Sequence, residues 1–157
     1  MTPVNVIMNR TFPTITMHET VEEAEKLMLE MNSRTILIIE GDNLCGVFSE
    51  HDLVSRILME KKPPSRTYMH EVATMNPLVV EERTSIREAA KKIADHPFID
   101  IPVVNEKGKP TGIISSDTLA PFLKEQAEEV IETSLRRASL AKGLPQIYLE
   151  PFWDEYY

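Results

Sequence analysis

Apolar and polar positions along the chain fall into two rhythms, and the same succession of rhythms occurs twice. Val21, Ala24, Met28 and Met31 recur at the spacing of one helix face, and Ile86, Ala89 and Ile93 repeat the pattern 65 positions later. Each helix opens on a hydroxyl with a carboxylate three residues on, Thr20 with Glu23 and Ser85 with Glu88, which predicts a capping box at both starts. A short apolar run follows each helix, at 36–39 and 101–104, and reads as a buried strand. Polar turns come next, Glu40-Gly41-Asp42-Asn43 and Asn105-Glu106-Lys107-Gly108-Lys109, each leading into a second apolar run at 44–48 or 111–114. Both therefore predict hairpins. The second turn is one residue longer, so the offset becomes 66, and helices near 49–60 and 115–139 close the two copies.

This succession, strand–helix–strand–strand–helix twice over, defines the domain organisation. The first repeat covers 4–60, a proline-stiffened linker containing Lys61, Lys62, Pro63, Pro64 and Arg66 covers 61–68, and the second repeat covers 69–128. One copy of about 60 residues buries only a marginal core. Its sheet would also leave one apolar face open. The expectation is an α+β fold in which two pseudo-twofold-related repeats pack sheet to sheet, with two related clefts between them. Residues 129–157 form a C-terminal helical and aromatic extension. Phe122, Ala127, Val130, Ile131 and Leu135 are spaced along the helix that leads into it, and Gly143 and Pro145 end that helix. Tyr148, Phe152, Trp153, Tyr156 and Tyr157 then follow among acidic residues, a cluster suited to a contact surface.

Charge narrows the function classes. Seventeen Lys and Arg stand against 25 Asp and Glu, a formal charge of −8, which disfavours broad binding to nucleic acid or an anionic membrane. One small anion site is still compatible with it. The single cysteine, Cys45, permits no intrachain disulfide and fits a reducing cytoplasm; within an apolar strand it reads as a small buried hydrophobe. No apolar stretch approaches the roughly 18–20 residues of a membrane span, and the N-terminus lacks the pattern of a secretory signal. His18, His51, His70 and His96 share no metal-ligand spacing, so no metal site is expected. No nucleophile–base set or phosphate-cradling glycine loop is present either, and the expectation is a protein that is not an enzyme.

Two segments carry most of the chemistry: Gly46-Val47-Phe48-Ser49-Glu50-His51-Asp52, and Gly112-Ile113-Ile114-Ser115-Ser116-Asp117-Thr118, the latter preceded by Pro102-Val103-Val104-Asn105. Taken with the double repeat, they resemble a tandem pair of cystathionine-β-synthase (CBS) domains, a Bateman module, over about residues 4–128. The resemblance implies a stand-alone regulatory module, a homodimer that binds an adenosine-containing ligand between the repeats and signals to an effector protein. AMP, ADP, ATP or S-adenosylmethionine would serve as that regulatory ligand, with no catalytic cofactor.

Carried over residue by residue, the first cleft would join Ser49, Asp52, His51 and Val47 to Asn76, Phe98, Ile99 and Asp100. A carboxylate accepts two hydrogen bonds at once, so Asp52 suits a ribose diol. Ser49, at a helix start, suits a phosphate, with positive charge from His51 or from Lys61, Lys62 or Arg66. Phe98 and Ile99 would wall the base. The second cleft would join Phe12, Ser33, Arg34 and Thr35 to Ile113, Ser115, Asp117 and Thr118. It departs from the pattern: Thr118 stands where the ribose carboxylate belongs, and Asp117 is one residue early, about 100° away around a helix. The expectation is one competent cleft and one altered or empty one. Ser49 with Asp52 is also a capping box, a role compatible with ligand binding. The alternative function is a dimeric scaffold that binds no ligand and acts through its acidic aromatic tail.

Overall fold

The computed structural model describes residues 1–96 and 100–142. Met1–Leu119 form one compact unit and a second begins at Ala120. In the first unit, β1 (Thr14–Ile15), α1 (Val21–Glu30), β2 (Thr35–Glu40) and β3 (Asn43–Ser49) lead into α2 (Glu50–Asp52), which runs on as a π-helical stretch over Leu53–Leu58. Then follow α3 (Met69–Val72), β4 (Thr74–Met75), β5 (Val80–Glu81), α4 (Ile86–Asp95), β6 (Ile101–Val104) and β7 (Pro110–Ile114). α5 (Ser116–Lys142) starts in the first unit and forms the described part of the second.

The strands form two sheets, ordered β1-β2-β3-β4 and β5-β6-β7. In each, a two-residue strand lies parallel to the first hairpin strand, β1 on β2 and β5 on β6, because a helix carries the chain across between them. The hairpins pair Thr35 with Ser49 and Ile101 with Ile114, and each carries one register shift, at Ile38/Ile39 and Val103/Val104. Gly41 and Gly108 sit in the hairpin turns at φ of 60° and 81°, a left-handed backbone that side chains oppose.

Alternation along β2 and β3 sorts the core. Ile36, Ile38 and Phe48 face one way and pack with Val21, Ala24 and Met28 of α1, with Ile57, and with Met69 and Val72 of α3. Leu37 and Val47 face the other way and pack against Ile113 of the second sheet, with Phe12 and Leu44 at the margin. The two sheets thus meet face to face, as the open apolar face of each repeat requires. Ile86, Ala89 and Ile93 are buried on α4, the counterpart of α1.

The segments that lead into the repeats cross over. Val4 N–H donates to Thr84 O (2.8 Å) and Ile86 N–H to Thr2 O (3.0 Å). Sixty-five positions on, Met69 N–H donates to Glu19 O (2.9 Å) and Val21 N–H to Thr67 O (2.9 Å). The same exchange reaches the sheet edges. β4 pairs antiparallel with β3, and Asn9 bridges to Ile113 with both N–H···O bonds at 2.9 Å. Two glycines admit these crossing strands. A Cβ on Gly46 would lie 3.0 Å from Thr74 O and 3.1 Å from Met75 Sδ, and one on Gly112 would lie 2.5 Å from Met8 Sδ.

Several expectations change. The Thr20–Glu23 box forms in both directions, whereas the second cap is one-sided, with Ser85 accepting from Glu88 N–H at 3.2 Å. Met31 follows the end of α1 and is exposed, so it does not share the buried face. The helix expected at 49–60 is α-helical only for its first turn. Cys45 is half-buried rather than fully so, with its Sγ donating to Ile38 O (3.3 Å). On α5, Ile131 and Leu135 are exposed and Arg136 pairs with Glu132 (2.7 Å). The aromatic cluster from Tyr148 to Tyr157 lies outside the described residues.

Two outcomes are expected. Gly46→Ala forces its methyl onto the Thr74 carbonyl and should lower the unfolding free energy by about 1–3 kcal/mol in urea titration, while Gly41→Ala, with nothing within 4 Å, acts only through its φ. Burial, and secondarily the Glu40 charge, push the Cys45 thiol upward. Its alkylation at mildly alkaline pH should be slower in the folded protein than after denaturation.

Candidate functional site

β3 ends where the first sheet meets the segment that follows β4, and a cavity of about 350 Å³ opens there. Val47, Ser49, His51, Asp52 and Arg56 line it from β3 and the helix after it, Thr74, Pro77 and Leu78 from the crossing segment. Thr35, His96 and Asp100 complete the described lining. The cavity exists because β4 pairs with β3: without that exchange, Thr74 to Leu78 would not stand opposite Ser49 and Asp52.

The polar groups at its helix start are closely interlocked. Ser49 caps α2 by accepting from Asp52 N–H (3.2 Å), and Asp52 Oδ2 returns the cap by accepting from Ser49 N–H (2.9 Å) and Ser49 Oγ (3.1 Å). Asp52 Oδ1 lies 3.6 Å from Arg56 Nε, and the guanidinium donates through Nη1 to Val72 O at 2.6 Å. Arg56 thus ties the carboxylate of one repeat to the backbone at the end of α3. The π-helical stretch that carries it, closed by Met59 N–H to Val54 O (3.0 Å), is a widened turn of the kind that recurs beside binding sites.

Of the residues expected in the first cleft, Val47, Ser49, His51, Asp52 and Asp100 come together on this cavity. Asn76 does not line it. It occupies a left-handed position (φ 50°) between Met75 and Pro77, its side chain exposed and its N–H donated to Cys45 O (3.2 Å). Phe98 and Ile99 lie outside the described residues. Lys61, Lys62 and Arg66 are not part of the lining, and Lys62 pairs with Glu60 (3.2 Å). The described lining also includes Arg56, which sequence reasoning missed. Its signal was there in the four-residue spacing from Asp52. Pro77 and Leu78 were missed too, because only the crossing of the chain brings them in.

The residues expected in a second cleft are arranged differently. Thr35, expected there, is buried and lines the first cavity, where its Oγ1 donates to Asp100 Oδ2 (2.8 Å). Thr35 and Asp100 are 65 positions apart, equivalent residues of the two repeats, so their contact marks the pseudo-twofold axis. Phe12 packs against the cluster of Leu37, Val47 and Ile113, and Ser33 Oγ donates to Thr35 O (2.7 Å). Ser115 caps α5 by accepting from Thr118 N–H (3.2 Å) and shares a hydroxyl–hydroxyl bond with Thr118 (3.0 Å). Asp117, turned away from the carboxylate position, instead pairs with Arg34 (2.8 Å), both largely exposed. Among the described residues no group of three or more His, Cys, Asp or Glu is placed to hold a metal ion, and no helix is long and apolar enough to cross a membrane.

Two crossed repeats with a cavity at the end of the first hairpin define a class, and comparison identifies it. The CBS domain family matches residues 4–59 and again residues 69–125. The chain belongs to the CBS domain family, as a tandem pair. It is 33% identical over 131 residues to the uncharacterized protein YlbB of Bacillus subtilis, covering 82% of this chain and 86% of that one. It is 26% identical to the Arabidopsis thaliana CBS domain-containing protein CBSCBSPB1 over 87% of this chain, but spans only 24% of that relative's length. Among solved structures, CBSX2 of Arabidopsis thaliana in complex with AMP shares the fold at 23% identity (TM-score 0.68, 81% of this chain and 99% of that one). The CBS domain pair of protein MJ0100, in complex with 5′-methylthioadenosine and S-adenosyl-L-methionine, does so at 20% identity (TM-score 0.71, 80% and 98%).

Arg56→Ala removes the donor from Val72 O and the cation from Asp52. Allowing for the partial exposure of the guanidinium, it should cost about 1–2 kcal/mol of stability, read by chemical denaturation.

Proposed function

We propose that this chain is a regulatory module whose first cleft binds an adenosine-containing ligand and whose occupancy is signalled to a partner protein. The observation that carries the reading is Asp52: a nearly buried carboxylate on a 350 Å³ cavity between repeats, with one oxygen held by the Ser49 cap and the other in reach of Arg56. A ribose diol replaces the long Arg56 contact at Oδ1 and leaves the cap in place. Val47, Pro77 and Leu78 supply an apolar wall for a base, with Phe98 and Ile99 carried over from the family pattern, and Asp100 accepts from an exocyclic amine. The adenosine compounds held by CBSX2 and by the MJ0100 pair support this ligand class.

In this reading the repeats are 4–60 and 69–128, joined by 61–68, with 129–157 as an extension. The module acts in the cytoplasm as a homodimer, which exposed Val54, Leu58 and Met59 along one helix support. A second reading, a scaffold that contacts its partner through the C-terminal extension, is favoured by exposed Ile131 and Leu135 on α5.

Thermal unfolding against AMP, ADP, ATP, S-adenosylmethionine and adenosine tests the proposal. A ligand at ~100 times its dissociation constant stabilises the fold by about 2.7 kcal/mol, a rise of several degrees. Asp52→Ala should abolish that rise, and a variant that folds yet keeps its affinity would overturn the assignment. Removing residues 144–157 should leave ligand binding intact.

A further inference from the structure

We infer that the Asp52 cavity selects adenosine compounds with an uncharged or cationic 5′ substituent over the 5′-phosphates; this rests on the reading of the cavity as an adenosine site. The first ground is charge. The described lining holds two carboxylates, Asp52 and Asp100, against one guanidinium, Arg56, and two imidazoles, His51 and His96. Pro97, Phe98 and Ile99, between His96 and Asp100, bear no charge. The chain's formal charge of −8 acts in the same direction.

The second ground is that several of the donors at the helix start already have acceptors within the protein. A helix start binds phosphate through its free N–H groups and a neighbouring hydroxyl. Here Glu50 N–H donates to Arg34 O (2.9 Å), Asp52 N–H to Ser49 Oγ (3.2 Å), and both Ser49 N–H and Ser49 Oγ to Asp52 Oδ2. The Asp52 carboxylate thus takes up donors that a phosphate would need. The guanidinium likewise donates to Val72 O. A 5′-phosphate would set a dianion beside both Asp52 and Asp100, with Arg56 still held at Val72. A hydroxyl or thioether at the 5′ position meets neither difficulty, and a sulfonium or ammonium is attracted by both carboxylates.

Calorimetric titration of the full chain decides the matter, at about pH 8, where an ordinary imidazole is uncharged. The probes are adenosine, 5′-methylthioadenosine, S-adenosylmethionine and AMP. Adenosine or its thioether should bind at least about tenfold more tightly than AMP at low salt, and the gap should narrow at about 0.5 M salt as the carboxylates are screened. Asp100→Asn, which keeps an acceptor for the Thr35 hydroxyl while removing a charge, should also narrow it. AMP binding as tightly as adenosine, or a ratio unmoved by both salt and Asp100→Asn, would overturn the inference and leave the adenosine reading standing. Binding of none of the four would overturn that reading as well.

Discussion

Backbone hydrogen bonds that cross between the repeats are the constraint on which the rest of the structure depends. Val4 is tied to Thr84 and Met69 to Glu19, so each repeat's leading segment is fastened to the other's helix start. A few residues further, those segments lie along the other repeat's hairpin, covering an edge that would otherwise expose unpaired N–H and C=O groups. Met69 and Val72 meanwhile enter the core beneath α1. Neither repeat completes its sheet or its core alone. Gly46 and Gly112 are consequences of this arrangement, since the crossing chain runs where a Cβ would stand.

The same exchange creates the site and then differentiates it. Pseudo-twofold packing brings equivalent segments of the two repeats together, and their side chains make them unequal. Where the first has Asp52 in a reciprocal cap with Ser49, the second has Thr118 with Ser115. Where the first has His51, the second has Asp117, whose charge is met by Arg34. At the axis, Thr35 and Asp100 are joined directly, and both line the first cavity. In the first cleft the polar groups hold one another in a fixed arrangement.

Capping links fold and chemistry more closely than a residue inventory suggests. Ser49 and Asp52 satisfy each other's backbone groups at a helix start, a structural role sufficient to account for both. Yet a carboxylate has two oxygens, and the cap uses one. The other is held loosely, 3.6 Å from a guanidinium that is itself anchored at Val72. One residue therefore serves the fold with one atom and remains available for recognition with the other.

Elements governed by local chemistry were legible in the chain: the two amphipathic helices, both hairpins and the hydroxyl caps, each set by residues within a few positions of one another. The repeat made the tandem family recognisable, and with it Ser49, Asp52 and Asp100 as members of one cleft. Local pattern failed where long-range contact decides. β4 and β5 are two residues long and hold their shape only by pairing with hairpins distant in sequence. Thr35 looked like part of the second cleft, but its contact with Asp100 across 65 positions puts it on the first. Arg56 had a visible spacing from Asp52, but its anchor, Val72 O, belongs to a segment that only the crossing brings near. Periodicity and capping are properties of neighbours in the chain, so sequence alone determined the elements and their order. The cavity is a property of segments that meet in space, so its walls and the guanidinium in its described lining were decided by the tertiary structure.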